Sequence, residues 1–231
     1  MNLPIVRLLG VDKVYGTDRV LRDIQFSLNP KDRILIHGPN GAGKTTLLKI
    51  VASLTSPTSG SIYFYGENDG LARYRKEMGY LGHDTLLYPD LTGEENLQFF
   101  GALRGISRDR CDHWLEKVGL DRWASRRRVR FYSAGMKQRL AIARLLLHDP
   151  EIVLLDEPFN ALDGSFVELF VHWVRQKTVL LVTHQLDIGR SLATRAFELR
   201  NGQINEQVLS LLQHGNGRDA GNATGGSTVS T

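Results

Sequence analysis

Cysteine is almost missing from this chain: Cys111 stands alone among 231 residues. One thiol closes no disulfide within the chain, which excludes a disulfide-stapled scaffold and fits a reducing compartment. Long apolar runs are missing too. None approaches the roughly eighteen residues a helix needs to cross a bilayer. The first stretch, MNLPIVRLLGVDKVYG, has no continuous apolar segment of signal-peptide length. The expectation is a chain soluble by itself, with any membrane association coming through a partner. Neither sign of charge prevails: 29 Lys and Arg against 25 Asp and Glu give a formal net charge of +4. That balance permits contact with an acidic surface or with nucleic acid and requires neither. No internal repeat is visible, and no long heptad insert splits the chain.

What is present is enough for one large α/β domain. Short β-like runs, VRLLGVDKVY, VLRDIQFSL, RILIHG and SGSIYFYG, alternate with turns at Pro30, Pro57 and Gly60. RILIHG is followed by a glycine loop and then by KTTLLKIVASL, which has helical apolar spacing. TGEENLQFFGALRGI and RDRCDHWLEKVGL read as amphipathic helices, the second with Cys111, Trp114, Leu115 and Val118 on one core-facing side. EIVLLDE and TVLLVTH are nearly continuous apolar runs, as buried parallel strands are. A helical insert at about 91–148 is therefore expected to interrupt a strand–helix core within a domain spanning 1–212. The tail, 213–231, is almost free of apolar residues and reads as disordered.

Between RILIHG and KTTLLKIVASL stands Gly38-Pro39-Asn40-Gly41-Ala42-Gly43-Lys44-Thr45, with Thr46 behind it. This is a complete phosphate-binding loop in the strand–loop–helix setting its mechanism needs. Its glycines let backbone N–H groups curl around phosphates. Lys44 is placed to neutralise the β- and γ-phosphates, and the Thr45 hydroxyl to ligate Mg²⁺. At the end of EIVLLDE, Asp156 is placed to hold the Mg²⁺ shell, and Glu157 to take a proton from an attacking water. His184, after TVLLVT, could hydrogen-bond the γ-phosphate and sense its loss.

A second anion-binding helix start appears in FYSAGMKQRLAIARLL, where Ser133 and Gly135 precede a run of helical period. Ser133 also suits a plain N-cap, and both roles are compatible. With GPNGAGKTT, YSAGMKQR, LLDEPFNALD and VTH in this order, residues 3–206 resemble the nucleotide-binding domain of ATP-binding-cassette transporters. The resemblance implies an α/β fold: a P-loop NTPase (RecA-like) core with an N-terminal antiparallel β subdomain and an inserted α-helical subdomain. It implies ATP and Mg²⁺ as cofactors, a homodimer or paired ABC subunit, an integral membrane transporter subunit as partner, and a place at the cytoplasmic face of the membrane. YSAGM corresponds to the family's signature motif, so Ser133 and Gly135 would contact ATP held by the opposing domain of a head-to-tail dimer. Two departures stand out: Ala134 replaces the first glycine of the motif and Met136 its glutamine.

Tyr15 looks like the aromatic that stacks on adenine, a contact worth about 1–3 kcal/mol for bases on aromatic side chains. Asp163 matches the loop that communicates between the two sites. At His83 most of the family has glutamine, in contact with Mg²⁺ or the water; an imidazole can accept or ligate there but titrates near pH 6.5 in water. Gly82-His83, DEPF and THQ together resemble the ATP-binding subunit of the cytochrome c-type haem exporter. A soluble assembly ATPase, similar to the iron–sulfur scaffold ATPase, would share every catalytic residue. The run RRRVR at 126–130 reads as a solvated basic loop; nucleic acid is not expected as a partner, since no aromatics interleave its arginines.

Overall fold

The computed structural model describes residues 3–66 and 70–211; the tail read as disordered lies outside the described residues. The chain runs β1 (Val6–Tyr15), β2 (Asp18–Leu28), β3 (Arg33–His37), α1 (Lys44–Val51), β4 (Ser59–Phe64), α2 (Gly70–Glu77) and β5 (Met78–Leu81). Helices α3 (Gly93–Ala102), α4 (Arg108–Lys117), α5 (Arg122–Ser125) and α6 (Ala134–Leu146) follow. The last part is β6 (Ile152–Asp156), α7 (Gly164–Val174), β7 (Thr178–Val182), α8 (Leu186–Leu192), β8 (Arg195–Arg200) and β9 (Gln203–Gln207).

Two sheets form. The first is antiparallel, in the order β2-β1-β4, with β1 paired to β2 from Val6↔Leu28 to Tyr15↔Asp18. The second has the order β5-β6-β7-β3-β8-β9 and is parallel apart from β9, which pairs antiparallel to β8. The apolar runs of β6 and β7 are buried throughout because both faces of this sheet are covered. Side-chain alternation divides the burial. Leu35, Val153, Leu155, Val179 and Leu181 face a core shared with α4, α6 and α7. Ile34, Ile36, Leu154, Leu180 and Val182 face a second core shared with α1 and the antiparallel sheet.

The helices between β5 and β6 are fastened by local chemistry. Thr92 and Glu95 form a reciprocal capping box at the start of α3. In α4 the apolar side is Cys111, Trp114 and Leu115, all buried, and Trp114 meets Trp173 of α7 edge-on at 5.5 Å. The parallel arrangement of β3, β6 and β7 brings their C-terminal ends to one edge of the sheet. Sites of open α/β sheets form at such an edge.

Candidate functional site: a phosphate cleft at the strand ends

The loop after β3 turns directly into α1, and two glycines make that turn possible. A Cβ on Gly38 (φ 145°) would lie 2.0 Å from the Leu199 carbonyl oxygen, and one on Gly43 (φ 101°) would lie 2.9 Å from Leu21. The first-turn N–H groups of α1 therefore open into a cleft of about 300 Å³, lined among others by Asn40, Lys44, Thr45, Asp156 and Glu157. Lys44 Nζ donates to the carbonyls of Gly38 and Pro39, both at 2.9 Å, which holds its ammonium against the loop. Val20 of β2 also lines the cleft; nothing in its sequence neighbourhood marks it.

Asp156 closes β6 and is almost fully buried. Burial raises its carboxyl above the ordinary range, against the opposing effect of the Thr45 hydroxyl bonded to it. Its Oδ2 is sealed from solvent without a hydrogen-bond partner among the described residues. An orphaned carboxylate oxygen beside a hydroxyl suits a hard cation with oxygen ligands. Among the described residues no cluster of three or more His, Cys, Asp or Glu could hold a metal alone. That pattern fits Mg²⁺, which takes one or two protein ligands together with phosphate oxygens.

Glu157 has left-handed backbone (φ 50°), fixed by its N–H donating to the Val182 carbonyl at 2.8 Å. The bend lays its carboxylate across the end of β7. There Oε2 accepts from the Thr183 hydroxyl at 3.1 Å and from the His184 N–H at 3.3 Å, and lies 2.9 Å from His184 Nδ1. The base candidate and the sensor candidate are thus a hydrogen-bonded pair. Thr183 is a third member that sequence reasoning missed; its only signal is its place between the strand and His184. His83 sits exposed in the loop after β5.

Other expected site residues lie elsewhere. Tyr15, at the end of β1, is exposed and carries Lys13 Nζ over its ring at 4.8 Å; it does not line the cleft. Ser133 caps α6, its Oγ accepting from the Met136 N–H at 3.2 Å. Neither Ser133 nor Gly135 lines the cleft. A Cβ on Gly135 would approach the Ala161 carbonyl to 2.8 Å, so α6 starts against the loop that leads to Asp163. Asp163 caps α7 through the Phe166 N–H (3.0 Å) and receives Arg139 of α6 at 2.5 Å. The Ser165 hydroxyl, the Phe166 N–H and Arg139 hold its carboxyl well below the usual range. The basic run is not bare of aromatics in three dimensions: Arg127 lies over Trp123 and Arg130 over Phe131.

The family model described as ABC transporter matches residues 21–160, which span the glycine loop, the Ser133 helix start and the acidic pair. The chain belongs to the ABC transporter ATP-binding family. At 38% identity over 200 residues the cassette is similar to the uncharacterized ABC transporter ATP-binding protein YxlF of Bacillus subtilis (strain 168), covering 83% of this chain and 66% of that protein. It therefore spans just under two thirds of that relative's length. At 36% identity it is similar to the aliphatic sulfonates import ATP-binding protein SsuB of Bacillus anthracis, covering 87% of this chain and 83% of SsuB. Among solved structures, the dimeric ATP-binding cassette MJ0796 bound to ADP and Pi, in a post-hydrolysis state, matches with a TM-score of 0.77 at 29% identity. That match covers 88% of this chain and 98% of MJ0796. The fold is accordingly that of a cassette ATPase: a P-loop NTPase core, an antiparallel β subdomain and an α-helical subdomain.

Proposed function

We propose that this chain is the ATP-hydrolysing motor of an ABC transporter, working as a head-to-tail dimer on a separate membrane subunit at the cytoplasmic face. One observation supports the dimer above the rest. The cassette has two helix starts suited to anions, and the second, at Ser133, contributes nothing to the cleft that the first one lines. A nucleotide held by the partner copy gives that second start its ligand.

In the ATP-bound dimer the N–H groups of residues 41–46 hold the phosphates, and Lys44 turns from the loop carbonyls to the β- and γ-oxygens. Thr45 and Asp156 would hold Mg²⁺, which would supply positive charge to offset the charge developing on the transferred group. Glu157 accepts the proton of the attacking water. Thr183 and His184 orient that carboxylate. A neutral His184 that donates Nδ1–H to Glu157 keeps only a lone pair at Nε2; the imidazolium has a second donor, and is the form that can reach a phosphate oxygen. Ser133 and Gly135 meet the γ-phosphate of the opposite copy. Tyr15 stacks on adenine, Asp163 links α7 to the start of the opposing site, and His83 takes the place of the family's usual glutamine.

The cargo we propose is haem, exported for cytochrome c maturation, on the strength of Gly82-His83, DEPF and THQ. Relatives carry names with other cargo, sulfonates among them. Three experiments test the reading. Purified chain should release phosphate from ATP only with Mg²⁺, and affinity-tagged chain should co-purify with a polytopic protein from detergent-solubilised membranes; a soluble scaffold in its place overturns the transporter reading. Cells lacking the chain should lose covalent haem in their c-type cytochromes, and regain it with the wild-type chain but not with Lys44→Ala. Normal cytochrome haem staining in the deletion strain overturns the haem assignment alone.

A further inference from the structure

Tyr15, the ring proposed to stack on adenine, stands off the phosphate cleft and is 48% exposed. Nothing in the glycine loop sets that ring in place. A neighbour on its own strand does. β1 loses its regular register with β2 on either side of Lys13. Irregularities of this kind re-aim side chains. Lys13 ends with its ammonium 4.8 Å from the centre of the Tyr15 ring. The same Nζ donates to the Ser56 carbonyl at 2.8 Å. No carboxylate pairs with it among the described residues. Asp12, beside it, is taken by Arg19, the Ser59 hydroxyl and the Asp23 N–H.

The Ser56 contact ties the ring to the helix of the phosphate site. Residues 53–58 leave α1, whose Lys49 carbonyl accepts from the N–H groups of Leu54 and Thr55 at 2.9 and 3.3 Å. Further along, the Thr58 N–H donates to the Asp12 carbonyl at 2.8 Å, and the Val14 N–H donates to Thr58 Oγ1 at 3.0 Å. The end of β1 and the loop after α1 are thus joined, and Lys13 extends the joint to the ring.

The face of an aromatic ring is negative. An ammonium on one face of Tyr15 is attracted to it and leaves the opposite face for a planar base. Two stacked π-faces repel through their like quadrupoles. A cation behind the ring draws electron density away from the side the base meets. A ring already anchored also gives up less freedom when the base arrives.

We propose that Lys13 is a positioning residue for the base of the nucleotide: it backs one face of Tyr15, fixes the ring to the loop after α1, and leaves the other face for a purine. The proposal rests on the stacking of Tyr15 on adenine and adds what prepares that ring. Lys13 itself makes no contact with the phosphates.

The test is a split between base and phosphates. ATP and inorganic tripolyphosphate, each with Mg²⁺, are titrated calorimetrically into the full chain and into Lys13→Met, Lys13→Arg, Tyr15→Leu and the double variant Lys13→Met/Tyr15→Leu. Lys13→Met keeps the apolar stem and loses the charge. It should bind ATP about two- to fivefold more weakly, the range that a cation over a ring supplies at an exposed site, and tripolyphosphate as the wild type does. Lys13→Arg keeps a cation that stacks on aromatic rings and should restore wild-type ATP affinity. Tyr15→Leu should weaken ATP about fivefold or more. Adding Lys13→Met to it should cost nothing further, since the two residues act through one contact. That cycle decides the matter on ATP alone where tripolyphosphate binds too weakly to titrate. Unchanged ATP affinity in Lys13→Met, an equal loss for tripolyphosphate, no recovery in Lys13→Arg, or additive losses in the double variant would each overturn the proposal. The two levels separate at Tyr15: a Tyr15→Leu chain that binds ATP like the wild type overturns the stacking and the proposal with it, whereas a loss in Tyr15→Leu without one in Lys13→Met overturns the role of Lys13 alone.

Discussion

Replacing Glu157 by glutamine changes one atom and isolates one role. The amide oxygen can still accept from the Thr183 hydroxyl and the His184 N–H, which now reach Oε2 at 3.1 and 3.3 Å. The left-handed turn at residue 157 depends on the backbone bond to Val182, which the change leaves in place. The fold should therefore persist. Charge-assisted bonds become neutral ones, a loss of about 1 kcal/mol, or about 2–4 °C in Tm for a domain of this size. Chemistry should change far more. An amide takes no proton from water, and general-base catalysis contributes about 10²–10⁴-fold. That corresponds to roughly 2.7–5.5 kcal/mol of barrier at about 1.36 kcal/mol per decade. Steady-state phosphate release should fall by at least two decades while a fluorescent ATP analogue binds as before, and the mutant should accumulate as an ATP-bound dimer. Turnover within tenfold of wild type would refute Glu157 as the base.

Other outcomes follow from the same geometry. Gly38→Ala puts a methyl 2.0 Å from the Leu199 carbonyl oxygen in a backbone region that side chains rarely adopt, at a cost of at least about 1–3 kcal/mol; thermal melts should show the loss, and ATP-analogue binding should weaken with it. Phe170→Ala empties a fully buried site in α7 and should cost about 3–5 kcal/mol in urea melts. Asp12 joins β1 to its neighbours: the Asp23 N–H, Arg19 and Ser59 hold its carboxyl at about 2. Because its folded pKa is depressed, its contribution is present above the unfolded value near 3.8 and is lost as pH falls toward 2. Asp12→Asn should flatten stability against pH within that window, and an unchanged acid limb would show the carboxylate to be idle.

The parts of this fold that can be read from the sequence are those whose physics is local. GPNGAGKTT needs only its own glycines, the strand before it and the helix after it. β6 and β7 announce themselves because both faces are buried, which makes every residue of IVLLD apolar or functional. β5, β8 and β9 do not. β5 is four residues long and contains Gly79. β8 places Arg195 between Asp32 and Glu206, so that an ion-pair network interrupts its apolar pattern. β9, QINEQ, lies at the sheet edge and is mostly polar. The site divides in the same way. Lys44, Thr45, Asp156 and Glu157 follow from motifs, but Thr183 meets Glu157 across 26 residues and Arg139 meets Asp163 across 24. Those pairings depend on parallel strand order and helix packing, which periodicity alone does not set. The arginines of 126–130 teach the converse: their aromatic partners Trp123 and Phe131 flank the run rather than interleave it, and only the fold brings the pairs into contact.

The central claim, that each nucleotide is shared between two copies, is tested most directly by complementation. Ser133→Arg should block ATP-driven dimerisation and leave ATP binding by the single chain nearly intact; Lys44→Ala should lose the phosphate contact of its own cleft. Each variant alone should therefore hydrolyse almost no ATP. In a mixed dimer, the cleft of the Ser133→Arg chain faces the intact helix start of the Lys44→Ala chain, and both defects fall in the other site. Mixing the two purified proteins should restore phosphate release well above the sum of the separate rates. A mixture no more active than its components, or a Ser133→Arg chain that dimerises normally with ATP, would contradict the shared site.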